Sequence, residues 1–395
     1  MKVLAIAPEP FYSPRGTPFS VYYRALITSQ LGLGIDLLTY GEGEDVVIPG
    51  VNIIRIPRFS LLGKVKVGPS PLKLFLDIFL IIYTIRLLLK NHYEVVHAHE
   101  EAVFFCRFLK PVFRFKLIYD MHSSLPQQLT NFQFTTSRLL IGIFKMLEDS
   151  CLKKADAIIT ICPDLADYVN RLLNNPDKHF LIENSIFDPI QLAGEQAGAG
   201  VGSEPQDVNL PANVHSIVYA GTLEPYQGID ILIEAFRIFH ANHPEYKLLI
   251  AGGNSGQVEK YRQVARNQAI DEHCIFTGQV SQAKAKFYCS QAKVLVSPRA
   301  NGTNTPLKVY EQLASGIPLV ATRIYSHTQV LNDDVAILVA PNPEDFARGL
   351  AAATDGLGKE RAKNAKELYG EKYSREIYTG KMKNLFTHLD HSARV

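Results

Sequence analysis

Cysteine is scarce in this 395-residue chain, and what there is has no pattern. Cys106, Cys151, Cys162, Cys274 and Cys289 are scattered, odd in number, and form no C-x-x-C pair. That excludes a disulfide framework or a thiolate zinc site as the basis of the fold, and it suits a reducing cytoplasm. An excess of one charge is also missing. The 41 Lys and Arg nearly balance the 39 Asp and Glu, so the net charge of +2 gives no global reason to expect nucleic acid as a partner. Long apolar runs are absent too. The apolar start at residues 3–7 is one strand long and stops at Pro8, so no secretory signal is expected. The best spanning candidate, residues 72–89, contains Lys73, Asp77 and Arg86. Its longest uncharged run, 78–85, falls far below the ~20 residues that cross a bilayer. Neither G-x-G-x-x-G nor G-x-x-x-x-G-K-[ST] occurs, so neither a dinucleotide fingerprint nor a P-loop is supported.

The length implies two domains, and 47% hydrophobic with 20% charged residues is ordinary for a globular protein. Short β-branched runs alternate with helical stretches throughout. This alternation predicts an α/β fold of doubly wound parallel sheets. It is interrupted once, at residues 191–212, where AGEQAGAGVGSEPQ has no periodicity and reads as a linker or surface insertion. The expected organisation is therefore a first domain at 1–190, the linker, a second domain at 213–372, and an amphipathic tail at 373–395 that packs back across both.

The chain is organised around residues 292–322, AKVLVSPRANGTNTPLKVYEQLASGIPLVAT. They read as a strand at 294–296, a loop at 299–304 and a helix at 307–315, then a second strand. Thr305 fits an N-cap and Pro306 the first helical position, while Gly316 fits a left-handed C-terminal cap. Lys308 falls in the first turn, where the helix dipole and free N–H groups already make the field positive. An anion docked there would turn this repulsion into attraction. Glu311 lies on the same face one turn deeper. Together they suit a nucleotide, with phosphate on Lys308 and ribose hydroxyls on Glu311. The alternative is that both are solvated helix charges.

In doubly wound sheets, ligands sit beyond the C-terminal ends of the strands. The first strand, 2–7, leads into a loop with Arg15 and Gly16, and Thr17-Pro18 repeats the cap-plus-proline helix start. Two further strands end in His97-Ala98-His99 and Asp120-Met121-His122. His97 and His99 resemble half of a metal site, but no third ligand follows at a clear spacing, so no metal is expected. His122, beside hydroxyls and a carboxylate, is the better functional candidate.

Four stretches, YAGTLEPYQGIDILIEAF (219–236), PRANGTNTPLKVYEQLASGIPLVAT (298–322), ADAIITICPDLADYV (155–169) and YDMH (119–122), resemble the retaining glycosyltransferases of family 4. The resemblance covers nearly the whole chain. It implies the GT-B fold: two facing Rossmann-like domains with a cleft between them, the first for the acceptor and the second for a nucleotide-diphosphate sugar. That sugar is a co-substrate, and no cofactor is implied. Glu311 takes the family's ribose-binding place, but Thr303 stands where its motif has a first Glu. Thr222 and Gln227 stand where the family places an Arg and a Lys that clamp the diphosphate. Lys308 and Arg299 are the cations that remain, in a loop that includes Asn304, Thr305, Pro306 and Leu307. Gly16 and Thr17 match the N-terminal glycine loop that approaches the phosphates. Gly278, Gln279 and Val280 match the segment whose backbone meets the base, with Gly253 at the preceding strand end. His122 matches the histidine near the transferred sugar. Arg15, His97, His99 and Asp120 fall on the acceptor side.

The expected activity is a retaining, metal-independent transfer of a sugar to a glycan, lipid-linked or small-molecule acceptor. Helix N-termini and cations stabilise the departing nucleoside diphosphate, and His122, Lys308 and Glu311 carry the chemistry. Two other readings stay open: a nucleotide-sugar epimerase or hydrolase, and a non-catalytic partner subunit that binds the nucleotide sugar. Between Arg55 and Lys116, eleven Lys or Arg face four acids, a local excess of +7. FFCRFLKPVFRFK (104–116) interleaves aromatics with cations, as segments that lie on anionic membranes do. The expected location is the cytoplasm, with a peripheral position at the inner face of the membrane. The alternative is that the phenylalanines are core and the cations solvated.

Overall fold

The computed structural model describes residues 1–13, 16–59, 63, 65, 70–124, 137–173, 175–188, 190 and 215–391. The expected linker at 191–212 and Arg15 lie outside the described residues. The described chain divides into two compact units. The first runs Met1–Ser185 and takes in the C-terminal segment from Arg375, and the second holds Ile186–Ile190 and the chain up to Ser374.

The first unit contains, in order, β1 (Lys2–Ala7), α1 (Gly16–Gln30), β2 (Gly34–Thr39), β3 (Val51–Arg55), α2 (Pro71–Lys90), β4 (Val95–His99), α3 (Ala102–Phe113), β5 (Lys116–Met121), α4 (Arg138–Lys154), β6 (Ala157–Thr160), α5 (Pro163–Leu172) and β7 (His179–Leu181). The sheet order is β3-β2-β1-β4-β5-β6-β7, and every pair is parallel. Both faces of the central strands are covered, which is why β1 reads as a continuous apolar run rather than as alternation. Helix α2 starts where Ser70 caps the backbone of Lys73 and Pro71 takes the first position.

The second unit contains β8 (His215–Ala220), α6 (Ile229–His240), β9 (Tyr246–Ala251), α7 (Ser255–Asn267), β10 (Cys274–Gly278), α8 (Gln282–Ser290), β11 (Val294–Ser297), α9 (Lys308–Ser315), β12 (Leu319–Thr322), α10 (Tyr325–Thr328), β13 (Ile337–Val339), α11 (Pro343–Thr354) and α12 (Gly356–Lys372). Its sheet order is β10-β9-β8-β11-β12-β13, again all parallel. Alternate residues serve opposite faces: Ile217 and Tyr219 pack into one core, Val218 into the other. The last helix, α13 (Arg375–His391), belongs to the first unit. Both units are Rossmann-like, as in the GT-B fold.

Two expected helix starts differ in detail. Thr17 lies inside α1, which begins at Gly16, so the Thr17-Pro18 pair is not a cap. Pro18 is tolerated there because first-turn N–H groups have no helical acceptor. Helix α9 begins at Lys308 and makes no side-chain cap bond. The Thr305 hydroxyl is buried without a hydrogen-bond partner, because the chain enters the helix through a tight turn in which the Val309 N–H reaches the Pro306 carbonyl at 3.0 Å. Gly316 does take the left-handed cap position, with φ at 71°.

In each sheet the strand order reverses once, between β1 and β4 and between β8 and β11, and loops at such points are where a ligand fits. The β8 loop is fixed to the β11 loop by a hydrogen bond of 2.9 Å from the Ala300 N–H to the Tyr226 carbonyl. Gly228 makes this approach possible: its φ is +68°, and a Cβ there would run into the Pro298 carbonyl. Gly228→Ala should therefore lower stability by on the order of 2 kcal/mol. Gly370→Ala, in an open helical position of α12, should instead raise it slightly. Thermal unfolding of the two variants side by side checks the contrast.

Candidate active site

The loops at the carboxyl ends of β8, β9, β10 and β11 bring the expected donor residues of the second unit together. Gly252 donates to the Gly278 carbonyl at 2.8 Å, and Gly221 to the Ala251 carbonyl at 2.9 Å, which joins three strand ends. Gly253 and Gly278 both have positive φ, 83° and 67°, so backbone rather than side chain lines this edge. Gln279 is exposed and Val280 half-buried beside it. Thr222 and Gln227 hydrogen-bond to each other at 3.3 Å, a neutral pair where the resemblance implies two cations.

Lys308 is the centre of this group. Its stem is half-exposed, but its ammonium is shielded from solvent and has no hydrogen-bond partner. The Nζ sits over the Tyr219 ring, 3.9 Å from the centroid. Gly221 leaves the space beside it open: a Cβ there would come within 3.6 Å of that nitrogen. Burial, and then the nearby Arg299, push the Lys308 pKa down to about 7. Arg299 is held by its own loop, donating from Nε to the Asn301 carbonyl at 2.8 Å and from Nη1 to the Asn304 carbonyl at 3.1 Å. Its guanidinium also lies over Tyr226 at 5.2 Å. Glu311 is raised to about 7 by burial, with Lys286 opposing. Pro306 and Leu307 form the turn into α9, and the exposed Thr303 is tethered by Gln329, whose side chain donates to its carbonyl. The buried His327 ring, 2.9 Å from Ser297 Oγ and 2.8 Å from the Thr322 carbonyl, fixes α10 against the ends of β11 and β12.

In the first unit, neighbouring strand ends assemble His97, His99, Asp120 and His122, all buried. His97 Nε2 lies 2.9 Å from Asp120 Oδ2, and His122 Nε2 lies 3.3 Å from Oδ1. His99 stacks on His97 and places its Nδ1 3.2 Å from His122 Nε2. Among the described residues, His97, His99 and Asp120 are the one group close enough to hold a metal, so the third ligand that spacing did not reveal is Asp120 on the next strand. Arg24 already meets that carboxylate, its Nε 3.0 Å from Oδ2 and itself buried. A divalent ion there would face a guanidinium at close range, and the charge balance favours the pair alone. Burial by itself would raise the Asp120 carboxyl, but Arg24 and the histidines hold it well below the usual carboxylate range. Burial lowers His122 to about 4, so its ring is neutral near pH 7. Gly16 and Thr17 lie apart from this cluster in sequence, at the exposed to half-exposed start of α1.

Sequence reasoning missed Arg24, Tyr378 and Glu100. Arg24 had a signal: one charge inside the apolar run Val21–Ile27 needs a buried partner. Glu100 follows His99 with φ at 49°, bonds Ser123 at 3.0 Å, and is raised to about 8 by burial.

Comparison with known proteins places the chain in a family and a fold. Residues 202–368 match the family described as Glycosyl transferases group 1, and residues 29–186 match Glycosyltransferase Family 4. The chain belongs to the family 4 glycosyltransferases. This glycosyltransferase is 22% identical to the phosphatidyl-myo-inositol mannosyltransferase of Mycolicibacterium smegmatis over 364 residues, covering 90% of this chain and 84% of that one. In fold it is similar to sucrose-phosphate synthase of Thermosynechococcus elongatus, with a TM-score of 0.76, 20% identity and 99% of each chain covered. It is also similar to Anabaena HepE solved in complex with UDP, with a TM-score of 0.69, 13% identity and full coverage of both chains.

An unpaired, shielded ammonium destabilises the protein until an anion arrives. Lys308→Met should therefore stabilise the unliganded enzyme, by on the order of 1–3 kcal/mol. The sign follows from the lowered pKa. Below pH 7 the folded state carries the buried charge in full; between about 7 and 10.5 it sheds the proton before the unfolded chain does, and the penalty fades. The gain in thermal midpoint should thus be larger at pH 6 than at pH 9.

Proposed function

We propose that this glycosyltransferase moves a sugar, with retention and without a metal ion, from a nucleoside-diphosphate sugar to a glycan, lipid-linked or small-molecule acceptor. The observation that carries the reading is the partnerless, shielded Lys308 ammonium at the start of α9, with the buried and equally partnerless Thr305 hydroxyl just before that helix. These groups and Arg299 form a preorganised anion site at the positive end of the helix. Glu311 accepts from the ribose hydroxyls, and the strand-end glycines admit the base against the backbone. The UDP complex of HepE supports a nucleotide in this role.

As the bond from the sugar to the diphosphate breaks, its electron pair goes to the leaving oxygen. The acceptor oxygen forms the new bond on the same face, and its proton passes to the leaving phosphate. Lys308 and Arg299 stabilise the growing charge. With Arg24 already balancing Asp120, the histidine cluster acts by hydrogen bonding: His122 Nε2 is held 3.2 Å from His99 Nδ1 and 3.3 Å from Asp120 Oδ1, and the neutral ring orients a sugar hydroxyl.

The mannosyltransferase relative, whose name specifies a phosphatidylinositol acceptor, supports a lipid-linked acceptor here. So does one face of the first unit. Helix α2 exposes Leu74, Ile78, Ile82 and Leu89 along one stripe, and α3 beside it exposes Phe108 and Val112. Arg86, Lys90 and Arg114 are exposed among them. Lys110, by contrast, is tied to Asp156 at 2.8 Å. No helix of the described residues is long and apolar enough to cross a membrane. This face rests on an anionic leaflet.

A thermal-shift screen of UDP-, GDP-, ADP- and dTDP-sugars identifies the donor, since a native-state ligand raises the midpoint. Lys308→Gln combined with Glu311→Gln should weaken the preferred nucleotide about tenfold or more. Undiminished affinity in that double variant removes the proposal, and loss of turnover in chelator removes its metal-free part. Above pH 7, where Lys308 has lost its proton in the free enzyme, binding must take one up. Affinity should fall there by up to about tenfold per pH unit, with proton uptake visible by calorimetry in two buffers. Neutralising Arg86, Lys90 and Arg114 together should reduce co-sedimentation with anionic phosphatidylglycerol vesicles, whereas Lys110→Gln should chiefly lower stability.

A further inference from the structure

The carboxylate that orients the histidine cluster is itself held from the far end of the chain. Arg24, on α1, is buried and spends its guanidinium on three partners. Nε meets Asp120 at 3.0 Å, Nη2 donates to the Ile182 carbonyl at 2.7 Å, and Nη1 donates to the Tyr378 hydroxyl. Tyr378 is on α13, 354 residues away in sequence, and its ring also lies 5.0 Å from the guanidinium carbon. Burial raises the phenol to about 12, so it stays protonated and neutral. The helix has an independent anchor in Lys381, 2.6 Å from Glu183.

We propose that Tyr378 is a positioning residue for transfer: through Arg24 it fixes the Asp120 carboxylate, and thereby the orientation and tautomer of His97 and His122. A buried guanidinium that loses one acceptor does not stay in place, because the unpaired, buried donor carries a desolvation penalty. It turns toward other acceptors, and Asp120 Oδ2, which also takes the His97 hydrogen bond, turns with it. His122, 3.3 Å from the other oxygen, follows. The C-terminal helix thus completes a site to which it contributes no contact with substrate. This inference rests on the role given to His122 under the proposed function.

The test uses the full chain with Tyr378→Phe, which keeps the ring over Arg24 and removes only the hydroxyl, and Lys381→Ala, which weakens the helix anchor without touching Arg24. Histidine side-chain nitrogen NMR reads the cluster directly. Tyr378→Phe should shift the signals of His97 and His122, lower kcat about tenfold or more, and leave nucleotide affinity and donor KM within about twofold. Lys381→Ala should leave the histidine signals where they are. Unchanged histidine signals in Tyr378→Phe overturn the relay, whatever the turnover. Shifted signals with unchanged turnover keep the relay and overturn instead the role assigned to His122. A loss of nucleotide affinity equal to the loss of turnover overturns the proposal in favour of a general structural effect.

Discussion

An ammonium kept from water with no counter-ion is an unstable arrangement, and the second unit is built to hold one. The helix that carries Lys308 begins with its positive end at the same point, and Arg299 adds a second cation. Folding alone would remove such a concentration of like charge. The sheet sustains it by fixing each part separately: the Arg299 guanidinium by its own loop carbonyls, the β8 loop by the Ala300–Tyr226 bond, and the helix by Val309, Tyr310 and Leu313 buried in the core. The energy withheld from stability becomes available to whichever anion completes the site.

The first unit solves the opposite problem. Its buried carboxylate is ringed by cationic and imidazole groups: one guanidinium and three imidazoles lie within 3.5 Å of Asp120. The result is a cluster that carries little net charge and is held in a fixed geometry. Such a cluster cannot act as a strong base near pH 7, because burial keeps the His122 proton off. It can hold a hydroxyl in one direction. Charge is therefore concentrated in the second unit and cancelled in the first, and the proposed transfer uses the one to stabilise a leaving group and the other to hold a direction.

Much of this was legible in the residues, and the limits have physical causes. The parallel sheets were readable because strands covered on both faces are apolar along their whole length. The end of α9 was readable because Gly316 marks it. Thr305 was misread as a cap: composition identifies a residue able to cap, but the tight turn through Pro306 leaves its hydroxyl without the bond. Helix α12 has no apolar stripe to announce it, since Gly358, Ala362 and Ala365 are its buried residues. The histidines could be placed because they follow strands. Their dependence on Tyr378 could not, because no periodicity links residues 354 positions apart.

The departures from the family pattern also acquire a physical meaning. Thr222 and Gln227, where two cations are expected, bond to each other and bring no positive charge to the β8 loop. Had that loop kept its cations beside Arg299 and Lys308, four positive groups would converge before any anion arrived. Like charges packed in a shielded site repel by several kcal/mol at about 4 Å even at an effective dielectric near 20. With Arg299 on the β11 loop and Lys308 at the helix start, the set is two cations. That loop leads directly into α9, so the guanidinium and the helix start are positioned by one continuous segment, 298–308. A neutral pair at Thr222 and Gln227 is therefore electrostatically consistent with a cationic β11 loop.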